Sequence, residues 1–174
     1  TLRTRMDLLS RNTMKVAEFL EQHKNIEQVQ YLGLESHPLY DLASGYMFLA
    51  DSEFDDQNKA RVNRYGHLMS FCVKGNDLQT REVFDAFTMI WRGTDLGRIK
   101  SIATIPSIST HSQQGEAARK LAGIPSNMIR LCVGGDPPDD IIKDIDQALS
   151  VLAGQNITHS FPGFSAGGAS SATS

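Results

Sequence analysis

Cysteine is scarce in this chain, and the little there is does not pair. Cys72 and Cys132 are the only two among 174 residues, each inside an apolar run, Phe71-Cys72-Val73 and Leu131-Cys132-Val133. With no CxxC spacing, two buried and reduced thiols are predicted rather than a disulfide framework. Histidine is equally thin: His23, His37, His67, His111 and His159 make no helical HxxxH pair and have no cysteine partner at zinc spacing. No metal site is therefore expected. No apolar run approaches the ~20 residues that cross a bilayer, and the first residues lack the charged-then-apolar pattern of a secretion signal. A soluble, cytoplasmic protein with no membrane partner is expected. Basic residues do not dominate either: 17 Lys and Arg against 20 Asp and Glu give a formal charge of -3. Without a basic stripe interleaved with aromatics, nucleic acid is not an expected partner.

The 40% hydrophobic content is enough for one domain with a real core. Met6, Leu9, Val16, Ala17 and Leu20 recur at helical spacing and predict a long amphipathic helix over about residues 2–23. Ile26, Val29 and Tyr31 alternate with polar residues before Gly33, as a short strand does. Ser36 followed by Pro38 predicts a helix start, with the hydroxyl as cap, running to about Phe48. The charged stretch between Ala50 and Gly66 has little periodicity and reads as a surface excursion. Leu68 to Val73 predicts a buried strand, 74–77 a turn, and Val83, Phe84 and Phe87 the inner face of a helix. Then come an extended stretch over 101–105, a helix from about His111 to Ala122 ended by Gly123, and a strand from Met128 to Val133. The last helix is opened by Pro137 and Pro138, favoured by Asp139 and Asp140 at its positive end, and stopped by Gly154. Its inner face is Ile141, Ile145, Ala148, Leu149 and Leu152. From Gln155 onward, Gly, Ser, Ala and Thr offer too little apolar surface to offset ordering entropy, which predicts a disordered tail over 155–174. Helices alternating with short strands indicate a two-layer α/β fold, with a long helix over 1–24 ahead of an α/β domain over 25–154.

Chemistry is sparse. There is no GxGxxG, no GxxxxGK[ST] and no GxSxG, and Gly134-Gly135 reads as a strand-to-helix turn rather than a phosphate cradle. Ser107, Ser109, Thr110 and His111 crowd one segment, but neighbours in sequence seldom form a nucleophile and base pair. Arg130 is the charged residue of an otherwise apolar run and requires an anion if the strand is buried. Two partners fit it equally: an internal carboxylate, or a substrate carboxylate gripped by the planar fork.

Several segments resemble, in order, the cystathionine γ-synthase-like family of pyridoxal-phosphate (PLP) enzymes of cysteine and methionine metabolism. They are Val16-Ala17-Glu18-Phe19-Leu20-Glu21, Tyr31-Leu32-Gly33-Leu34-Glu35-Ser36-His37-Pro38 and Met69-Ser70-Phe71, then Ser101-Ile102 with Pro106, Ser109-Thr110-His111 and Ile129-Arg130-Leu131-Cys132-Val133-Gly134. The resemblance covers about residues 2–152. It implies the C-terminal domain of a fold-type I PLP enzyme: a small, mostly antiparallel sheet with helices on one side, preceded by a long helix that leads from an N-terminal PLP-binding half. Because the chain starts at Thr1 and runs straight into a helix, something is expected to precede it.

The resemblance further implies that Arg130 holds the α-carboxylate of an amino-acid substrate in a bidentate grip. Asp95-Leu96-Gly97 then lines the site where the family has Ser-Leu-Gly or Asn-Val-Gly. An acid at 95 would repel a carboxylate unless protonated, paired with Arg92 or Arg98, or turned away. Thr110 and His111 match a Thr-His pair near the site, with a helix cap as the plainer alternative. The family's cofactor lysine lies in Ser-x-Thr-Lys, a context that none of Lys15, Lys24, Lys59, Lys74, Lys100, Lys120 and Lys143 has. No catalytic residue is thus expected in this chain, and the substrate-binding set is Arg130, Asp95, Leu96 and Thr110. The implied activity is γ-replacement or γ-elimination on O-acylhomoserine or a related amino acid, in a homotetramer. The stretch from Asp51 to Tyr65 is longer than the family's usual connection, as in a specialised branch, for instance a biosynthetic γ-synthase. The rival expectation is an α/β interaction module that keeps the fold without catalysis.

Overall fold

The computed structural model describes residues 1–52 and 61–153. The expected tail over 155–174 and much of the excursion between Asp51 and Tyr65 lie outside the described residues. Among the described residues five α-helices, α1 (Leu2–Gln22), α2 (Tyr40–Tyr46), α3 (Asp77–Asp85), α4 (Glu116–Leu121) and α5 (Pro138–Leu149), and a 3-10 turn (Ser150–Ala153) accompany five strands. The strands are β1 (Ile26–Gln30), β2 (Leu68–Val73), β3 (Trp91–Arg92), β4 (Ile102–Thr104) and β5 (Met128–Cys132). They form one sheet in the order β1-β2-β5-β4-β3, antiparallel except for β3 beside β4.

Alternation along the strands decides which face is covered. Met69, Phe71 and Val73 of β2 and Ile129 and Leu131 of β5 point into one core with Val16, Ala17 and Leu20 of α1, Val83 of α3, and Ile141, Ile145, Ala148 and Leu149 of α5. Helices α1, α3 and α5 pack on this face and against one another. This is the mostly antiparallel sheet with helices on one side and a long leading helix that the family resemblance implies. The opposite face carries a polar row across four strands, since Gln30 pairs with Ser70, Ser70 with Arg130, and Arg130 with Thr104.

Helix α1 is tied down by polar contacts as well as by its apolar stripe. Asn12 Nδ2 donates to the Gly134 and Asp136 carbonyls, each at 2.9 Å, so α1 grips the turn between β5 and α5. That turn accepts glycine alone: a Cβ on Gly134 would stand 2.4 Å from the Ser101 nitrogen and 2.5 Å from the Ile99 oxygen. Gly134→Ala is expected to push the 99–101 segment away and destabilise the fold by about 2 kcal/mol. A thermal melt reads this, and an unchanged midpoint would show that the segment yields freely. The glycine pair is a turn, as expected, and both its amides are used: Gly134 donates to Ser101 Oγ at 2.9 Å and Gly135 to the Ile99 carbonyl at 2.7 Å.

Three expectations need correction. The second helix begins at Tyr40, not at Ser36, whose hydroxyl bonds Glu21 instead of capping. Pro38 disfavours helical backbone at His37, and His37 Nδ1 accepts from the Leu39 amide, so residues 34–39 run through turns. The helix expected from His111 shrinks to α4, because Ser109 and Ser112 hydroxyls donate to nearby carbonyls and hold the preceding segment in turns. Strand β3, two exposed residues long, was not expected at all.

Candidate functional site

The sheet face opposite the helices is closed over Cys72, Cys132, Ile102 and Thr104 and opens around one cation. Arg130 sits mid-strand in β5 but on the open side, partly exposed, which corrects the picture of a guanidinium sealed within a buried strand. Its neighbours in the strand, Ile129 and Leu131, are fully buried beneath it and fix the stem of the anchor. Arg130 Nη2 donates to the Thr94 carbonyl at 3.2 Å. Among the described residues no carboxylate lies within ion-pair distance of it. A guanidinium has five N–H donors, so most of the fork faces outward.

Beside it lies an open cavity of about 270 Å3, lined by Gln30, Ser70, His111, Met128 and Arg130 among others. The named polar groups are neutral or cationic, and the hydrophobic ones, such as Leu68 and Ile124, suit an aliphatic body. The 94–98 loop adjoins the strand, with the Thr94 carbonyl on Arg130 and the Gly97 amide by the Cys132 sulfur, but Asp95, Leu96 and Gly97 are not among the residues that line the cavity. Asp95 is paired, its carboxylate 2.6 Å from Arg98 Nη2, while Arg92 turns to Asp85. Of the escapes from repulsion weighed for Asp95, pairing with Arg98 is the one found. Leu96 is 57% exposed and contributes an apolar surface to the loop rather than to the core.

Thr110 is not a helix cap, since α4 starts after Gly115; its hydroxyl faces the ring nitrogen of His111 at 2.8 Å. His111 lines the cavity with Arg130, whereas Thr110 supports the histidine from behind. Gln30 and Ser70 were not singled out from sequence. The available signal was the register: once Arg130 is placed outward, strand pairing puts both on its row. Gln30 is itself oriented, because His37 Nδ1 accepts from the Leu39 amide, leaving Nε2 to donate to Gln30 Oε1 at 3.0 Å.

Both cysteines are free and buried. Burial raises the Cys72 thiol to about 11, with Glu27 adding to it. Cys132 is also raised by burial, against the opposing pull of Arg130 and the Gly97 amide. Neither thiol is activated near neutral pH while it stays buried. Among the described residues no cluster of His, Cys, Asp or Glu is placed to hold a metal, and no helix is long and apolar enough to cross a membrane.

Pyridoxal phosphate is held through a lysine amine that condenses with its aldehyde and through a cradle of free amides for its phosphate. Among the described residues the Gly134 and Gly135 amides are already engaged, and Lys100 places its ammonium 3.8 Å from the Trp91 ring centroid, on the sheet edge. The guanidinium of Arg130 has the charge and donors to suit an anion.

A family model described as Cys/Met metabolism PLP-dependent enzyme matches residues 1–150. A cystathionine gamma-lyase from Sus scrofa is 33% identical over 159 residues, covering 91% of this chain and 36% of that protein. A homocysteine synthase from Schizosaccharomyces pombe is 34% identical over 151 residues, covering 87% of this chain and 32% of that one. Among solved structures, cystathionine gamma synthase from Xanthomonas oryzae in complex with cystathionine superposes with a TM-score of 0.75 at 27% identity, covering 88% of this chain and 36% of that chain. A Campylobacter jejuni protein assigned as O-acetylhomoserine (thiol)-lyase, carrying a pyridoxyl-lysine monophosphate, gives 0.74 at 33% identity, covering 86% and 32%. The chain thus spans about a third of the length of the relatives it matches.

Proposed function

The chain belongs to the Cys/Met metabolism family of PLP-dependent enzymes, whose fold-type I architecture it shares, and from that premise we propose that it forms the C-terminal, substrate-carboxylate-binding part of a transsulfuration enzyme. The reaction is γ-replacement or γ-elimination on O-acylhomoserine or a related amino acid. The observation that carries the reading is Arg130: a guanidinium with no carboxylate at ion-pair distance among the described residues, on a row with Ser70 and Gln30, beside a cavity of amino-acid size.

In this reading the cofactor, bound by the remainder of the enzyme, supplies an electron sink for charge developing on the substrate. The residues of this chain bind and orient. Arg130 grips the α-carboxylate with two parallel N–H donors while keeping its bond to the Thr94 carbonyl. The Asp95–Arg98 pair keeps the acid from repelling that carboxylate. Leu96 offers apolar cover over the substrate's aliphatic part, and Thr110 holds His111 toward the cavity. The relatives named for cystathionine, homocysteine and O-acetylhomoserine chemistry support a substrate with a polar group on its γ-carbon. The linking role of residues 1–24 and assembly as a homotetramer belong to the same proposal.

The test is an assay of the PLP-loaded enzyme with O-acetylhomoserine, O-succinylhomoserine and cystathionine. Released acetate, succinate or cysteine is measured, with and without added thiol. Turnover of at least one substrate is expected, and thiol-dependent release without keto acid would assign replacement over elimination. No turnover of any of the three would leave the non-catalytic module as the reading.

A further inference from the structure

The loop that meets Arg130 has one tie of its own, the exposed Asp95–Arg98 pair. Residues 94–98 are all exposed, so no side chain of the loop is sunk in a core. Gly97 adopts φ +79, a left-handed backbone with no intrinsic preference to persist. Its contacts from outside are few: Arg130 on the Thr94 carbonyl, the Cys132 sulfur near the Gly97 amide, and Arg5 Nη2 donating to the Gly97 carbonyl at 2.9 Å. Arg5 comes from the first turns of α1, 92 residues away in sequence.

Arg5 makes this contact from a constrained place. It is half-buried, beside His67, whose imidazole is held below its usual value by burial and then by the Arg5 charge. Among the described residues no carboxylate lies within ion-pair distance of Arg5, so the Gly97 carbonyl is the acceptor given for its fork. A charged donor on a carbonyl is about twice as strong as a neutral pair, and this one closes the end of the loop opposite Thr94.

We propose that Arg5 is a positioning residue for substrate binding: by holding the Gly97 carbonyl it fixes the 94–98 loop, whose Thr94 carbonyl sets the orientation in which Arg130 meets a carboxylate. The inference rests on the reading of Arg130 as the carboxylate anchor. It makes α1 part of the binding apparatus, since movement of its first turns relative to β5 is passed through Gly97 to the anchor. It also gives the Gly97 loop a second duty as the cover over Cys132, which is only 3% exposed.

The test compares Arg5→Met, which keeps the stem and loses the fork, with Arg5→Lys, in the PLP-loaded enzyme. Two readouts are taken: KM and kcat for the amino-acid substrate, and alkylation of Cys132 by iodoacetamide followed by peptide mass spectrometry, with Cys72 as internal control. Arg5→Met is expected to raise KM about tenfold, equivalent to about 1.4 kcal/mol, with kcat within about twofold. Cys132 labelling should rise roughly fivefold or more with Cys72 unchanged, since a released loop uncovers only its own side of β5. Arg5→Lys should recover part of both effects. The proposal is overturned if KM or Cys132 labelling stays at the wild-type level, or if both cysteines rise together, which is general loosening. Arg130→Met run alongside separates the two ideas: an unchanged KM there removes the anchor reading, whereas a raised KM with an inert Arg5→Met removes only the clamp.

Discussion

Arg130→Met is expected to lower kcat/KM for the amino-acid substrate by about 100- to 1000-fold, mostly through KM, while leaving the fold intact. Two charge-assisted hydrogen bonds at ~1.5–2 kcal/mol each amount to about 3–4 kcal/mol, and each 1.4 kcal/mol is a factor of ten. The fold should tolerate the change because the guanidinium lies on the open face and its internal bond goes to an exposed loop carbonyl. Ile129 and Leu131, which hold the strand in the core, are untouched. The stability change is therefore expected within about 0.5 kcal/mol. Arg130→Lys keeps the charge but presents a point donor in place of a planar fork, and should recover only about tenfold of the loss. Steady-state kinetics with a melt of each variant checks all three statements. A wild-type KM for Arg130→Met would mean that the carboxylate is held elsewhere.

How much of this was legible beforehand depends on what each feature rests on. Strand β2 and the start of helix α5 were readable because their apolar patterns match the burial that holds them, whereas α5 ends at Leu149 and residues Ser150–Ala153 form a 3-10 turn before the expected stop at Gly154. Helix α4 was not: none of its residues is buried, so no apolar stripe marks its start and local serine hydrogen bonds decide the backbone. Strand β3 is two exposed residues placed by pairing with β4, a tertiary cause that leaves no period in sequence. The site was legible in its residues and not in its geometry. Arg130 stood out as a charge in an apolar run, yet only the register shows that it faces away from the core and lies on the row of Ser70 and Gln30. Arg5 left no trace at all, since a contact spanning 92 residues to a backbone carbonyl has no residue-type signature on the acceptor side.

Asp144 shows the same gap, and substituting it should be the most damaging single change to stability described here. Asp144 is 4% exposed and lies in α5 on the stripe of Ile141, Ile145 and Ala148, where an apolar residue would be expected. Its two oxygens accept from the Thr88 amide at 2.9 Å, the Thr88 hydroxyl at 2.7 Å, the Met89 amide at 3.0 Å, the Ile90 amide at 3.1 Å and Gln147 Nε2 at 3.0 Å. One carboxylate thus satisfies three successive backbone donors between α3 and β3. Burial pushes its pKa up, but the Thr88 hydroxyl and these amides outweigh burial and hold it below the usual carboxylate value. Asp144→Ala strands several partly buried donors at once and is expected to cost about 3–5 kcal/mol, a large part of a typical domain's stability. Asp144→Asn keeps one acceptor oxygen but turns an amide group toward N–H donors, so it should cost about 2 kcal/mol.

The pH dependence follows from the direction of the shift. With the folded pKa below the unfolded value of about 3.9, the unfolded chain binds more protons in that window, so stability rises with pH there. The contribution is complete above about pH 5 and is lost as pH falls through the unfolded and then the folded value. Urea melts of the wild type and Asp144→Asn should therefore keep a constant gap from pH 7 to 5 and converge below about pH 4. A gap that did not narrow at all between pH 5 and pH 3 would mean that packing around residue 144, rather than its charge, sets the difference.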